Sequence, residues 1–303
     1  MIRKPAPLRR GDGIGVVAPA GAVDEASLEA GVRVLDDAGF RVRLGAAVRK
    51  KSGFLAGSDA ERAADLHEMF CNPEIKAIFT ARGGYGSGRL LPLLDPAVVR
   101  DHPKIFVGHS DITFLLNDFV QRAGLVAFHG PLITGLQQRP EAAEHLVTML
   151  TGERIGWNEA AQEVVQPGTA EGPLAGGCLS VIVATLGTPY AVQTHGCLLF
   201  LEDVNEKPYR IDRMLTQMRQ AGALDHVAGI IFGEMSGCAA AEYEQVSVRD
   251  VIAEAFADAP YPVAFGLPSG HGAGTLTLPL GVRARLAGER LTLLESPVAE
   301  RTV

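Results

Sequence analysis

Three short polar stretches each follow an apolar run, and together they carry the residue types for nucleophilic hydrolysis. They are Gly108-His109-Ser110-Asp111, Leu201-Glu202-Asp203 and Pro268-Ser269-Gly270-His271. A serine hydroxyl attacks a carbonyl only when a base takes its proton. A histidine base in turn needs a carboxylate to fix its tautomer and stabilise its cation. Serine, acid and histidine in that chain order meet the requirement, with Ser110 as nucleophile, His271 as base and Glu202 or Asp203 as acid. Neighbours on a strand point to opposite faces, so only one of the two carboxylates can reach the histidine. A fourth stretch, Arg82-Gly83-Gly84-Tyr85-Gly86-Ser87-Gly88, offers backbone N–H groups at Gly83 or Gly84. Beside the N–H of Asp111 these would form a two-donor oxyanion hole. No Gly-Lys-Ser/Thr closes that loop, which disfavours a phosphate cradle.

The elements that must position these groups are legible as alternating strands and helices. Lys104–Val107 reads as a buried strand running through Gly108 into a helix that opens at Asp111 and reaches about Gln121, so Ser110 sits in the turn. Ile75–Thr80 is a strand that delivers the glycine loop, and Asp24 and Ser58 are helix caps, the latter in a capping box with Glu61. Such alternation implies right-handed βαβ crossovers and a parallel sheet, with functional groups beyond the carboxyl ends of its strands. The expected fold is α/β: an N-terminal parallel-sheet domain, Rossmann- or flavodoxin-like, over residues 1–155, a polar linker over 156–172, and a smaller mixed α/β domain over 173–303 with a β-rich tail. The nucleophile falls in the first domain, the acid and the base in the second. Gly13-Ile14-Gly15-Val16-Val17-Ala18 has the letters of a dinucleotide fingerprint, but its glycines precede the apolar run instead of following it.

Composition narrows the setting. The chain has 303 residues, 47% hydrophobic and 21% charged, with a formal net charge of −7. No basic block is present, so neither nucleic acid nor an anionic membrane surface is an expected partner. No apolar run approaches roughly 18 residues, and Met1–Gly15 lacks the apolar centre of a leader, so no span or export signal is expected. Cys71, Cys178, Cys197 and Cys238 are scattered and read as reduced core thiols in a cytoplasmic protein. His-Glu-x-x-His and comparable ligand spacings do not occur, so neither a metal nor another cofactor is expected. His109 should point away from Ser110, His129 follows a strand and would line the site wall, and His67, His102, His145, His195 and His226 read as surface or packing residues.

The α/β-hydrolase elbow, Gly-x-Ser-x-Gly, fits poorly because Ile112 stands at its last position. The chain resembles instead the LD-carboxypeptidase family of serine peptidases (the S66 type), which includes murein tetrapeptide carboxypeptidases and microcin C immunity proteins. The matching stretches are Gly11-Asp12-x-Ile14-Gly15-Val16-Val17-Ala18-Pro19, Arg82-Gly83-Gly84-Tyr85-Gly86, Gly108-His109-Ser110-Asp111, Leu201-Glu202-Asp203, Pro208-Tyr209-Arg210-Ile211-Asp212-Arg213 and Pro268-x-Gly270-His271. The resemblance implies Ser110 as nucleophile, Glu202 as orienting acid, His271 as base, and the N–H groups of Gly84 and Asp111 as the oxyanion hole. It implies a homodimer without metal that cleaves the bond from an L-centre to a terminal D-amino acid in muropeptides recycled in the cytosol. Arg82 and Tyr85, with His129, are the expected substrate contacts. Two alternatives stand beside this: hydrolysis of peptidyl- or aminoacyl-nucleotides, for which the only tryptophan, Trp157, is poorly placed, and a non-catalytic two-domain small-molecule binder.

Overall fold

The computed structural model describes residues 2–153, 157–239, 246–274 and 276–300. It divides into two compact units: Met1–Ile155 with Thr277–Gly281 and Ser296–Val303, and Gly156–Leu276 with Val282–Glu295. In the first, strands β1 (Gly13–Val17), β2 (Arg41–Leu44), β3 (Ile75–Thr80), β4 (Ile105–Gly108) and β5 (Ala127–His129) alternate with helices α1 (Glu25–Asp37), α2 (Asp59–Cys71), α3 (Pro96–Asp101), α4 (Thr113–Asp118) and α5 (Pro140–Leu150). Asp24 caps α1 by accepting from the Ser27 N–H, and Ser58 and Glu61 form the expected capping box on α2. The five strands are parallel in the order β2-β1-β3-β4-β5, the flavodoxin-type arrangement.

Burial explains the sequence of this sheet. Every residue of β1 and β4 is buried, as in a parallel sheet covered on both faces. A side chain at Gly15 would come within 2.6 Å of the Met69 sulfur on α2, so this glycine serves helix packing and not a nucleotide. Phe70, Phe106 and Phe119 tie α2, β4 and the end of the α4 segment together, with ring centroids 4.8 to 6.3 Å apart. The helix after Ser110 is less regular than its sequence suggests. A 3-10 turn (Ser110–Ile112) leads into α4, and a π turn (Phe119–Ala123) ends it at the left-handed Gly124.

The second unit holds β6 (Asn158–Ala160), β7 (Glu163–Gln166), β8 (Thr169–Cys178), α6 (Leu179–Thr185), β9 (Leu198–Val204), α7 (Pro208–Gln220), β10 (Gly229–Ser236), α8 (Val248–Ala255) and β11 (Val263–Phe265). The chain then forms β12 (Leu278–Leu280), which pairs antiparallel with β5 of the first sheet, and returns as the hairpin β13 (Arg283–Ala287) and β14 (Arg290–Leu293). In the second sheet, ordered β6-β14-β13-β8-β9-β10-β11-β7, strands β8 to β11 are parallel and the flanking ones antiparallel. Leu199 and Leu201 of β9 and Ile230 and Phe232 of β10 pack with Ile211, Leu215 and Met218 of α7 and Ile252 of α8. Each such fully buried side chain contributes about 1.5–3 kcal/mol.

Three expectations are corrected. Residues 156–172 are not a linker. From Asn158 onward they supply β6, β7 and the start of β8, part-exposed strands whose polar alternation resembles loop sequence. Gly172 is glycine because a Cβ there would run into the Gly196 carbonyl, not because the chain turns. The tail is antiparallel as expected but is shared between two sheets, with β12 in the first. Of the four cysteines, Cys178, Cys197 and Cys238 are buried, whereas Cys71 is exposed at the last position of α2.

Candidate active site

In the first unit β4 delivers Gly108 and His109 to a turn in which Ser110 takes φ +63°. Among the described non-glycine residues only Ser110 and Asn205 have positive φ, and a left-handed conformation costs an L-residue about 1–2 kcal/mol. Asn205 directly follows the strand that carries Glu202, so both strained residues stand at candidate catalytic strand ends. The turn is held from both sides. A Cβ at Gly108 would meet Ile112 Cγ2 at 2.7 Å, and one at Gly83 would lie 2.8 Å from Ser110 Cβ and 3.1 Å from its Oγ. Only glycines let the loop after β3 lie this close to the serine.

That loop is fixed by hydrogen bonds the sequence does not announce. The buried Asp111 carboxylate accepts from the Ser87 N–H at 2.7 Å, and the Ser87 hydroxyl donates to the Asp111 carbonyl at 2.6 Å. The Gly21 N–H donates to the Gly83 carbonyl at 3.1 Å. Arg62, 1% exposed, donates to the Pro19 and Gly86 carbonyls and pairs with Asp59. The glycine loop and the serine turn are therefore one rigid assembly, and Gly84 within it has φ +100°.

Arg82 and Tyr85 flank Gly84 on the wall of a cavity of about 740 Å³. The Arg82 guanidinium donates to the Ala22 carbonyl at 2.6 Å, and Tyr85 is exposed, edge-to-face on Phe54. His129 is 1% exposed, in register with Gly108 across β4 and β5. The His109 ring is engaged at the end of β5, with Nδ1 3.0 Å from the Gly130 carbonyl.

In the second unit period-two alternation separates the two carboxylates of β9. Glu202 Oε2 accepts from His271 Nδ1 at 2.6 Å. Asp203 takes the other face, accepting from the Ser180 N–H at 2.7 Å near the start of α6 and from the Val204 N–H at 2.8 Å. Glu202 is fully buried and its second oxygen, Oε1, has no partner among the described residues. Burial pushes its carboxyl pKa up, the His271 hydrogen bond opposes that, and the Asp203 and Glu234 charges reinforce it. With Nδ1–H donating to Glu202, the neutral His271 ring is the tautomer whose basic lone pair is on Nε2. Cys178 pairs with Glu202 across β8 and β9, and burial drives its thiol pKa strongly upward, so it is no thiolate nucleophile.

Glu234, near the end of β10, is the residue missed by reading the sequence. Its carboxylate accepts from the Gly272 N–H at 2.9 Å and the Gly274 N–H at 2.8 Å, while its own N–H donates to the Ser269 carbonyl at 3.0 Å. The loop folds around this carboxylate so tightly that a Cβ at Gly272 would sit 2.4 Å from Glu234 Oε1 and one at Gly274 2.8 Å from Oε2. The available signal was an acidic residue closing the apolar run Gly229–Gly233, the same pattern that singled out Glu202. Among the described residues no group of three or more His, Cys, Asp or Glu side chains is arranged to hold a metal ion, and no helix is long and apolar enough to cross a membrane.

An open parallel sheet bearing a strained serine turn, and a second sheet bearing a buried carboxylate–histidine pair, supply the residue types that a serine-type hydrolase uses. The sequence comparisons give the family: the chain matches the LD-carboxypeptidase N-terminal domain over residues 14–130 and its C-terminal domain over residues 171–286. It belongs to the LD-carboxypeptidase family of serine-type carboxypeptidases, peptidase S66. A probable murein peptide carboxypeptidase of Bacillus subtilis (strain 168) is 39% identical, covering 98% of this chain and 96% of that protein. The microcin C7 self-immunity protein MccF of Escherichia coli is 30% identical, covering 92% of this chain and 91% of that protein. The crystal structure of a muramoyltetrapeptide carboxypeptidase from Oxalobacter formigenes aligns with a TM-score of 0.84 at 31% identity, covering 93% of this chain and 97% of the other. Membership of a hydrolase family sets aside the reading as a non-catalytic binder.

Proposed function

We propose that the protein is an LD-carboxypeptidase that removes a terminal D-amino acid from muropeptides, using Ser110, His271 and Glu202 as its catalytic triad. The observation that carries this is the 2.6 Å bond from His271 Nδ1 to the buried Glu202, which orients the ring and fixes the tautomer with its basic lone pair on Nε2. In the reaction Ser110 Oγ attacks the carbonyl between the L-centre and the D-residue as His271 Nε2 takes its proton. Negative charge on the carbonyl oxygen is held by the N–H groups of Gly84 and Asp111. The imidazolium then protonates the leaving amine, the free D-amino acid departs, and water, deprotonated by the same histidine, cleaves the acyl-serine ester. Arg82 and Tyr85, beside Gly84, and His129, in register with Gly108 on the neighbouring strand, are the residues that contact the substrate in this reading. Similarity to murein peptide carboxypeptidases supports the substrate class and, with it, a role in peptidoglycan recycling. The cytoplasm is the compartment and a homodimer the assembly that the family resemblance suggests.

Incubation with an L,D-tetrapeptide, followed by detection of released D-alanine, tests this reading. Wild-type release that disappears in Ser110→Ala supports it; no release from a protein whose serine reacts with a fluorophosphonate rejects the substrate. The likeness to the microcin C7 self-immunity protein gives a second substrate class, aminoacyl-nucleotides. Trp157 is buried and offers no stacking face for a base. Cleavage of an aminoacyl sulfamoyl adenosine without tetrapeptide cleavage would reverse the ranking.

A further inference from the structure

Where the serine turn leaves β5, a side chain fills a place that backbone fills in a regular sheet. In a parallel ladder a residue donates its N–H to the residue before its partner and accepts, through its carbonyl, from the residue after it. Gly130, one step beyond β5, begins this pattern opposite His109, because its N–H donates to the Gly108 carbonyl at 3.0 Å. The matching bond to the Gly130 carbonyl would come from the Ser110 N–H. Ser110 instead turns away at φ +63°, while His109 before it is still extended, at φ −151° and ψ −170°. Among the described residues no backbone N–H takes up the Gly130 carbonyl; the His109 ring does, with Nδ1 at 3.0 Å. A carbonyl oxygen only accepts, so Nδ1 carries the proton and the imidazole is the donor.

The surroundings hold this bond in place. Gly130 is buried and His109 only 9% exposed, so water is poorly placed to satisfy the carbonyl if the ring is lost. A Cβ at Gly130 would lie 3.0 Å from both Cγ2 and Oγ1 of Thr277 and 3.3 Å from Val107 Cγ1, so the peptide that accepts the bond is wedged. The far side of the turn is tied down separately. Asp111 and Ser87 exchange two bonds there, and the Ile112 N–H donates back to the His109 carbonyl at 3.3 Å. A left-handed residue that is not glycine persists only where its neighbours over-determine it. On the strand side of Ser110, the His109 ring supplies the tie that the ladder has lost.

We propose that His109 is a positioning residue for the nucleophile: its imidazole completes the β4–β5 ladder in place of the Ser110 N–H, and so holds Ser110 in the left-handed turn from which it reacts. His109 exchanges no proton with the substrate and acts only through the backbone of the turn. The role needs one donor at the Nδ1 position. An asparagine amide reaches that position, a glutamine amide lies nearer Nε2, and a phenylalanine ring fills the space without a donor. The inference rests on Ser110 being the nucleophile of the proposed activity.

Fluorophosphonate labelling is the test, because the reagent reports on Ser110 whatever the natural substrate. In His109→Phe the rate constant for labelling should fall roughly 10- to 50-fold, the range for one buried hydrogen bond left unmade, while the final labelled fraction matches the parent. His109→Gln should be slow as well, and keeps the test decisive if the phenylalanine variant does not fold. His109→Asn should recover the rate to within about threefold of the parent, and in D-alanine release the losses should lie in kcat with KM little changed. A purely structural role would lower the labelled fraction and leave the rate constant of the folded molecules unchanged, which overturns the proposal. So does a folded His109→Asn protein as slow as His109→Phe, or a His109→Phe rate within twofold of the parent. If labelling follows the expected order but no tetrapeptide is cleaved, the substrate reading fails and the positioning role stands. If Ser110 of the parent does not react at all, the activity reading fails, and amide hydrogen exchange over residues 108–112 decides the role of the ring. Exchange there should be roughly 10-fold faster in His109→Phe than in the parent and in His109→Asn; equal exchange in all three overturns the inference.

Discussion

Substituting Glu234 by glutamine separates holding the base in place from acting as the base. The carboxylate accepts from the Gly274 N–H at 2.8 Å through one oxygen and from the Gly272 N–H at 2.9 Å through the other. In the amide one acceptor becomes an NH2 facing an N–H, so one bond is lost and the other becomes neutral. A hydrogen bond to a charged acceptor is worth about 1.5–3 kcal/mol and a neutral one about 1. Because the loop is only partly buried, water replaces some of the loss, and about 2 kcal/mol is the expected net penalty. Expressed entirely as a barrier for the misplaced imidazole, this is roughly 30-fold in kcat. KM should change by less than about threefold, because the interaction supports proton transfer in the transition state. The pH profile gives a second reading. The Glu234 anion helps to raise the Glu202 pKa, behind the larger effect of burial, so removing that charge should move the acid limb of kcat/KM to lower pH. Steady-state kinetics from pH 4 to 8, with circular dichroism to confirm folding, would settle it. A folded Glu234→Gln enzyme with kcat within threefold of the parent and an unmoved acid limb would refute the idea that this carboxylate positions His271.

The other predictions follow from the same geometry. Ser110→Ala, Glu202→Ala and His271→Ala should each reduce turnover at least about 1,000-fold in folded protein, with double variants little worse than single ones, as steady-state assays of D-alanine release will show. Asp203→Asn, whose carboxylate faces the Ser180 and Val204 N–H groups, should retain more activity than Glu202→Gln; the reverse order would mean the two acids are misassigned. Gly83→Ala places a methyl 2.8 Å from Ser110 Cβ and should lower kcat more than 100-fold, a loss that vanishing reactivity towards a fluorophosphonate would confirm. Glu202 has a folded-state pKa above its unfolded value, so its contribution to stability is complete below about pH 4.3 and is lost as pH rises through the raised pKa. In a His271→Ala background, Glu202→Gln should therefore become more stable relative to its parent from pH 4 towards neutrality, as thermal melts will register.

Much of the local structure could be read from residues whose reasons are local. Asp24, Ser58 and Glu61 announce helix starts because a short polar side chain answers unpaired N–H groups within one turn. The separation of Glu202 from Asp203 follows from strand alternation alone. What escaped depends on distant partners. Residues 158–172 look like a linker because edge strands are half polar, and whether they pair is decided by β11, β13 and β14 far along the chain. The Glu234 clamp is invisible for the same reason, since its ligands are backbone N–H groups contributed by a loop 38 and 40 residues further along the chain. Arg62 and Ser87 look like ordinary helix and loop residues until the carbonyls and the carboxylate they satisfy are seen in space.

The excursion of Leu278–Leu280 into the first sheet sets the order in which that sheet can be finished as the chain emerges from the ribosome. β5 has β4 on one side as soon as it is made, but the strand on its other side is synthesised after the whole of Gly156–Leu276. Until then Ala127–His129 is an open edge, the kind of edge that recruits foreign strands. A gene cut at the apparent boundary near residue 155 would make that temporary vulnerability permanent. A split placed after Gly281 would instead deliver the first sheet with all six of its strands.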